Sequence, residues 1–363
     1  MLLLIAIGAA TALLLSLILT PFVRARSIRL GFVDKPGHRK LHPNPIALGG
    51  GAAIFWAFVI PVLAALLMAW LIHSRDLTVA TEEAKTHSAG AVAKTPAALI
   101  ILAGATVLHI MGIWDDRRPL GPFTKLAIQL AVAVGVVLAA GVQLTLFLPG
   151  WIAVIITVLW IATVTNAFNF MDNMDGLSAG VGAICCLIIV TSAAMAGQLF
   201  VAGLGAILLG ALLGFLRYNF HPATIFMGDG GSLVIGYLMG VLTIMTTYYG
   251  ADMKVEWVVV FTPLIVLAIP LYDFVSVTLI RIRAGRSPFV GDQRHFSHRL
   301  LKRGFTQKTA ALAIYLATAA TGLGALLLRY LPGWPSVLLL AQTVMILGII
   351  ATLEFVGQNN QTD

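Results

Sequence analysis

Apolar residues in this chain do not alternate with polar ones; they run together in blocks separated by short polar segments. A helix needs about 20 apolar residues to cross a hydrocarbon layer about 30 Å thick, and backbone in lipid must satisfy its own hydrogen bonds. The blocks therefore predict transmembrane helices near residues 1–23, 47–72, 96–114, 123–142, 148–167, 177–196, 199–217, 232–250, 256–281, 308–330 and 334–356. The expected fold is all-α, a polytopic membrane helix bundle of about eleven spans forming a single domain over residues 1–363. Residues 73–95, rich in Ser, Thr, Ala and Lys with Glu82 and Glu83, form the long polar stretch between spans and are expected to be an exposed outer loop without chemistry.

Composition agrees with the blocks: 59% of residues are hydrophobic and 10% charged, which excludes an ordinary water-soluble domain. Charge then orients the bundle. Loops after the first, third, fifth, seventh and ninth spans carry roughly eighteen of the twenty-three Lys and Arg residues, so these loops face the cytoplasm, the N-terminus faces out and the C-terminus faces in. Arg24 to Lys40 and Arg281 to Lys308 hold the densest groups. The net charge of +8 has its source in these two loops, where basic residues set orientation and attract anionic lipid, so no nucleic-acid partner is expected. Met1 to Leu19 has no basic residue ahead of its apolar core, so the first span reads as a mature helix and not a cleaved signal. Adjacent Cys185 and Cys186 read as small packing residues within a span.

Five of the fifteen acidic residues, Asp115, Asp116, Asp172, Asp175 and Asp229, fall at ends of apolar blocks on the same predicted side. Carboxylates beside hydrocarbon are costly, and acids that only marked helix ends would be found on both sides. Asp115 and Asp116 end the third span, where the helix dipole and their mutual repulsion oppose ionisation; a nearby cation or a proton-handling role would account for them, as would two solvated acids partly neutralised by Arg117 and Arg118. After the fifth span, Asn166, Asn169, Asp172 and Asp175 recur every third residue along one drifting helical edge. Hard oxygen ligands so arranged suit Mg²⁺, which fills its shell with water and substrate phosphate; a helix-capping cluster is the competing reading. Gly228-Asp229-Gly230-Gly231-Ser232 opens the eighth span, where glycines permit close backbone approach to a ligand and Ser232 can cap the helix.

In the first cytoplasmic loop, Arg39, Lys40 and His42 precede Pro43, Pro45 and Gly49-Gly50-Gly51, a plausible phosphate-binding floor. The last cytoplasmic loop holds Asp292, His295 and His298 at three-residue spacing, then Arg299; anion contacts are preferred there over a zinc site. Asp273 lies inside the ninth span, either functional or paired to a neighbouring helix, and His109 reads as a hydrogen-bonded core residue. Catalytic loops are thus expected near 24–46, 115–123, 167–176, 218–231 and 282–307. A phosphate-bearing cytoplasmic substrate and a lipid acceptor fit this set, whereas a transporter would place its acids near mid-membrane on broken helices.

In combination the motifs resemble the polyprenyl-phosphate N-acetylhexosamine-1-phosphate transferases (glycosyltransferase 4 type), within them the bacterial undecaprenyl-phosphate N-acetylglucosamine-1-phosphate transferases. The resemblance runs from about residue 30 to 305 and rests on Arg39-Lys40-x-His42-x-x-Pro45 with Gly49-Gly50, Asp115-Asp116, Asn166-x-x-Asn169-x-x-Asp172-x-x-Asp175-Gly176, Phe226-Met227-Gly228-Asp229-x-Gly231-Ser232 and Asp292-x-x-His295-x-x-His298-Arg299-Leu300. It implies transfer of a sugar 1-phosphate, with GlcNAc expected, from a UDP-N-acetylhexosamine to undecaprenyl phosphate with release of UMP, in the bacterial cytoplasmic membrane with the site facing the cytoplasm. It further implies Mg²⁺, with Mn²⁺ able to substitute, held at Asn169 and Asp229. Asp115 and Asp116 would then handle the acceptor phosphate, while Asn166, Asp172, Asp175, Arg39, Lys40, His42, His295, His298 and Arg299 would bind substrate; a homodimer is compatible with the family. Two departures stand out: the usual His-x-His-His is here His295-Phe296-Ser297-His298, and Asn173 replaces a usual Gly. The muramyl-pentapeptide branch of the same superfamily is the nearest rival, and the Arg39-Lys40-x-His42 pattern favours the amino-sugar branch.

Overall fold

A computed structural model describes residues 2–36, 44–75, 82–143, 149–246, 260–287, 294–331 and 333–355. The first half comprises α1 (Leu2–Arg29), α2 (Gly51–Arg75), α3 (Glu82–Ala93), α4 (Thr95–Arg117), α5 (Pro122–Ala140), α6 (Gly150–Met171) and α7 (Leu177–Met195). The second comprises α8 (Leu199–Asn219), α9 (Asp229–Met245), α10 (Thr262–Val266), α11 (Ala268–Arg283), α12 (Phe296–Leu301), α13 (Gln307–Leu327) and α14 (Trp334–Phe355). Between α1 and α2, β1 (Val33–Asp34) pairs antiparallel with β2 (Ile46–Ala47). The protein is an all-α, multi-pass membrane bundle.

Among the described residues, nine helices are long and apolar enough to cross a membrane: α1, α2, α4 to α8, α13 with the turn that follows it, and α14. The two remaining expected spans differ from that form. Helix α9 has 17 residues and reaches about 26 Å at 1.5 Å per residue, short of the hydrocarbon thickness. It tolerates this because every residue from Gly230 to Thr243 is buried within the protein. The expected ninth span is broken at Leu267 into α10 and α11. Pro270 has no N–H to return to the Val266 carbonyl, one turn back, and the Cys185 thiol occupies that acceptor at 3.3 Å. Cys185 and Cys186 are buried and free, as expected of packing residues.

The polar outer stretch expected as a loop contains α3, a correction to the sequence reading. Its Ala, Glu and Lys content carries high helix propensity, and Ser88 is buried with its hydroxyl donating to the Lys85 carbonyl at 2.7 Å. At the periphery, α1 and α14 leave large apolar side chains such as Leu3, Ile18, Trp334 and Val344 uncovered, as lipid-facing helices do.

Close backbone approach, not large side chains, sets the centre of the bundle. Gly236 and Gly240, one turn apart on α9, lie against α6: a Cβ built at Gly236 would stand 2.6 Å from the Thr165 Cα. At the start of α9, Gly231 and Gly51 of α2 meet backbone to backbone, and a Cβ at Gly112 of α4 would fall 2.4 Å from the Asp229 carbonyl carbon. Helices α2 and α4 thus hold the first turn of α9, and α6 its middle, at distances that no larger residue permits. Gly112→Ala is expected to cost about 1–3 kcal/mol and to lower the thermal midpoint in detergent. Gly135→Ala, where a new Cβ meets nothing within 4 Å, is expected to be neutral or slightly stabilising, and equal midpoints for both variants would refute this packing account.

Candidate active site

The site is assembled around the first turn of α9. Its free amides are capped by a side chain from another helix: Asp116, in the last turn of α4, accepts from the Asp229 N–H at 3.0 Å and the Gly230 N–H at 3.4 Å. The carboxylate comes this close because Gly228 has no side chain; a Cβ there would lie 2.3 Å from Asp116 Oδ2, and its φ of +70° also favours glycine. His109, one helical stretch before Asp116, donates from Nδ1 to the Gly230 carbonyl at 2.7 Å and stacks on Phe55 at 4.3 Å, in keeping with its expected core role. The entry to α2 closes the cradle. Gly50 and Gly51 N–H groups donate to the Phe226 and Met227 carbonyls at 2.8 and 2.9 Å, and the Phe226 N–H donates to Ala47.

Held in this way, Asp229 presents its carboxylate to two partners. Lys125, in the first turn of α5, bridges Asp229 Oδ2 at 2.9 Å and Asp115 Oδ2 at 2.8 Å, and Asp115 Oδ1 accepts the Leu120 N–H at 2.6 Å. On the other side, the Asn169 amide nitrogen donates to Asp229 Oδ1 at 2.8 Å and to Ser232 Oγ at 3.0 Å. Ser232 therefore does not cap α9 as expected, because the helix starts earlier, at Asp229, under the Asp116 cap. Asn166, one turn back on α6, donates to Gln129 of α5 at 2.5 Å and to the Ala162 carbonyl.

Asp172 caps the C-terminus of α6. Burial, then the charges of Asp229, Asp116 and Asp175, raise its pKa well above the usual carboxylate value. Asp175 is stitched to the connection between α8 and α9, accepting from His221 Nδ1 at 2.8 Å and from the Ala223 N–H at 3.0 Å. Behind it, Asn219 accepts the Gly176 N–H at 3.1 Å and Tyr315 donates to the Gly176 carbonyl at 2.6 Å.

The His-containing turn is fastened from the rear. Asp273, buried inside α11, pairs with His295 Nδ1 at 2.9 Å and accepts the Phe296 N–H at 2.6 Å, so this intramembrane acid does pair with a neighbouring segment. Phe170 meets His295 edge-on at 5.6 Å while the Arg281 guanidinium lies 5.0 Å over the same ring. The His295 and His298 rings are 6.3 Å apart. Arg299 is buried, with its guanidinium 3.0 Å from Glu354 of α14 and 2.9 Å from the Ser276 hydroxyl. Tyr272 donates to the same Glu354 carboxylate at 2.7 Å.

Asp115, Asp116, Asn169, Asp172 and Asp229 are thus brought together, with Asn166 one turn along α6. Asp175, His295, His298 and Arg299 lie in segments packed around the ends of α6 and α11. Arg39, Lys40, His42 and Asp292 lie outside the described residues. Lys125, Gln129 and Glu354 were not singled out from sequence. A cation in the first turn of α5 and an acid in the last turn of α14 both oppose their helix dipoles, a signal that each has a partner elsewhere.

Among the described residues, no group of three or more His, Cys, Asp or Glu side chains forms a ready metal cage. Mg²⁺ needs only one or two protein oxygens, with water and substrate phosphate completing its shell. Asp229 and Asn169 fit such a cation: both are hard-oxygen side chains meeting at one point, and a half-turn of the Asn169 amide would exchange its nitrogen for its oxygen.

Comparison with known proteins finds one family model and relatives matched over most of their length. A model described as glycosyl transferase family 4 matches residues 98–247. A probable undecaprenyl-phosphate N-acetylglucosaminyl 1-phosphate transferase from Bacillus subtilis (strain 168) is 32% identical, over 98% of this chain and 93% of its own length. A decaprenyl-phosphate N-acetylglucosaminephosphotransferase from Mycolicibacterium smegmatis is 32% identical, over 97% of this chain and 87% of its own. An undecaprenyl-phosphate alpha-N-acetylglucosaminyl 1-phosphate transferase from Escherichia coli (strain K12) is 28% identical, over 86% of this chain and 82% of its own.

The raised Asp172 pKa has a consequence for stability. Its unfolded value is about 3.9, so below that pH both states hold the proton and the charge costs nothing; as pH rises through the higher folded value, the half-buried charge beside the other carboxylates destabilises the fold. Asp172→Asn is therefore expected to raise the thermal midpoint at about pH 8 by about 2 °C or more, with the gap narrowing as pH is lowered. A gap that stays constant with pH, or a lower midpoint at about pH 8, would show that ionisation of Asp172 is not what the neighbouring carboxylates oppose.

Proposed function

The chain belongs to glycosyl transferase family 4, and from that premise we propose that it transfers N-acetylglucosamine 1-phosphate from its UDP-sugar to undecaprenyl phosphate, as a membrane step of cell-envelope polysaccharide synthesis. An oxygen of the acceptor phosphate attacks the sugar-bearing phosphorus of the diphosphate. The bond between that phosphorus and the oxygen bridging to the UMP phosphate breaks, and UMP leaves. One phosphoanhydride is broken and one is formed, so the exchange is near balance and needs no ATP.

The observation that carries this reading is Lys125 lodged between Asp115 and Asp229, with Asn169 completing the group at one end of the bundle. The difficulty of the reaction is electrostatic, because a phosphate monoester with second pKa of about 6 is mostly dianionic at neutral pH and must approach an anionic diphosphate. Cations and fixed dipoles at the transferring phosphoryl group answer that difficulty. Lys125 is the cation in place, and the two carboxylates that hold it fix its position while it offsets part of their charge. Asn169 and Asp229 would hold Mg²⁺, which when bound supplies the further positive charge that lets acceptor and donor phosphates approach.

The remaining acids take distinct parts. Asp116 holds the first turn of α9, so it acts on the reaction through the placement of Asp229. Asp115 anchors Lys125 and the turn to α5. Since the acceptor is already largely ionised, no strong base is needed to activate it. Asp172 and the turn bearing His295 and His298 serve the donor. Arg299 supports that turn from behind through Glu354. The excess of Lys and Arg on alternate loops supports a site on the cytoplasmic face of a bacterial membrane.

Purified protein supplied with undecaprenyl phosphate, Mg²⁺ and UDP-GlcNAc is expected to release UMP and form the lipid-linked sugar diphosphate, and chelation is expected to stop it. Failure with every UDP-N-acetylhexosamine would overturn the proposal, and turnover only with UDP-N-acetylmuramyl-pentapeptide would move the protein to the muramyl branch. Asp229→Asn and Lys125→Met are each expected to lower kcat about a hundredfold or more. Full UMP release by Asp229→Asn at ordinary Mg²⁺ would refute the metal assignment.

A further inference from the structure

Asn173 and Ser297, two polar residues of the site's rim, touch each other. Ser297, buried at the start of α12, donates its hydroxyl to the Asn173 side-chain oxygen, although 124 residues separate them in sequence. The other end of the same amide is also engaged: Asn173 Nδ2 donates to the Phe170 carbonyl at 2.6 Å, one of those left unpaired where α6 ends. Both ends of the Asn173 amide are therefore spent on joining the end of α6 to the His-containing turn. The joint lies between proposed donor groups. Asp172 immediately precedes Asn173, His298 immediately follows Ser297, and Phe170 packs edge-on against His295.

We propose that Asn173 and Ser297 form a matched latch that fixes the His295–Arg299 turn on the end of α6 and so positions the donor-binding groups. The match is one of volume and polarity together. Glycine at 173 beside Ser297 would leave a buried hydroxyl and the Phe170 carbonyl without their partner. A larger ring at 297 beside Asn173 would need space in a position that is 1% exposed. Changing both removes the amide and supplies bulk in its place. Neither residue touches the reacting phosphates in this reading; both are positioning residues. The functional half of the inference rests on the donor role proposed above for the turn.

The test is a double-mutant cycle of wild type, Asn173→Gly, Ser297→His and the double variant, read in two ways. With undecaprenyl phosphate and Mg²⁺ in excess, each single variant is expected to raise KM for UDP-GlcNAc about threefold to tenfold with a smaller change in kcat, and the double variant to return to within about twofold of wild type. Thermal midpoints in detergent should show the same recovery, and the rise in midpoint produced by UDP-GlcNAc reads donor binding without turnover. KM and midpoint effects that simply multiply or add would overturn the latch, as would single variants indistinguishable from wild type. Coupling in midpoint without coupling in KM or in the UDP-GlcNAc response would reduce the pair to a structural contact and overturn its positioning role. Absence of turnover in all four proteins would sink the proposed reaction, while the midpoint cycle would still decide whether the pair is matched.

Discussion

One carboxylate capping another helix's first turn is the contact on which the rest of the site depends. Asp116 accepts the first two amides of α9, satisfying buried donors that would otherwise stay unpaired. Leaving a buried donor unpaired costs about 1–3 kcal/mol, so the cap is a substantial local term. Its geometry demands the absence of side chains at Gly228, Gly112 and Gly51, which lets α4, α2 and α9 converge. Asp229 is the first residue of the capped turn. Its position relative to Lys125 and Asn169 is consequently set by main-chain contacts, which are stiffer than any arrangement of long side chains.

That stiffness explains why adjacent acids, Asp115 and Asp116, do different things. Successive residues on a helix point about 100° apart, so only one can face α9. Asp116 does, and Asp115 is left facing the turn to α5, where it accepts the Leu120 amide and holds Lys125. Their mutual repulsion is answered by separate partners: backbone N–H groups for one and an ammonium for the other. The cluster therefore carries its own cation, which offsets part of the negative charge that the proposed substrates would meet.

Much of this was legible in the sequence, and the boundaries of that legibility are physical. Hydrophobic run length located the apolar helices because lipid leaves the backbone few alternatives. Run length could not reveal that α9 is short or that the span after it breaks at Leu267, since both depend on what surrounds them: burial on all sides for α9, and the Cys185 thiol at the carbonyl that Pro270 leaves open. The residues gathered at the site were legible as acids and amides sharing one side. Their division of labour was not, because the partner of Asp116 lies 113 residues away and that of Asn166 is Gln129 on another helix. Lys125 carries no sequence signal of its own as a site residue. In a chain where basic residues mostly set orientation, one more Lys near a helix end reads as an anchor, and only its place in the first turn of α5, against the dipole, marks it as different.

The C-terminal third shows the same economy with buried charge. Asp273, Arg299 and Glu354 are each enclosed, and an isolated charge there would be prohibitive. Each has an ionisable or polar partner: His295 and the Phe296 amide for Asp273, Ser276 and Glu354 for Arg299, and Tyr272 for Glu354. Such pairs contribute little net stability against apolar replacements, but breaking one leaves an unpaired charge at a cost of about 3–5 kcal/mol, so they select one arrangement of the elements that carry them. What they fix is a six-residue helix, α12, too short to hold its own shape. With Asp273 at its first turn, Glu354 drawing on Arg299, and Asn173 gripping Ser297, that helix is tied to α11, α14 and α6. A turn carrying two imidazoles can then present them in a fixed direction without a longer helix behind it.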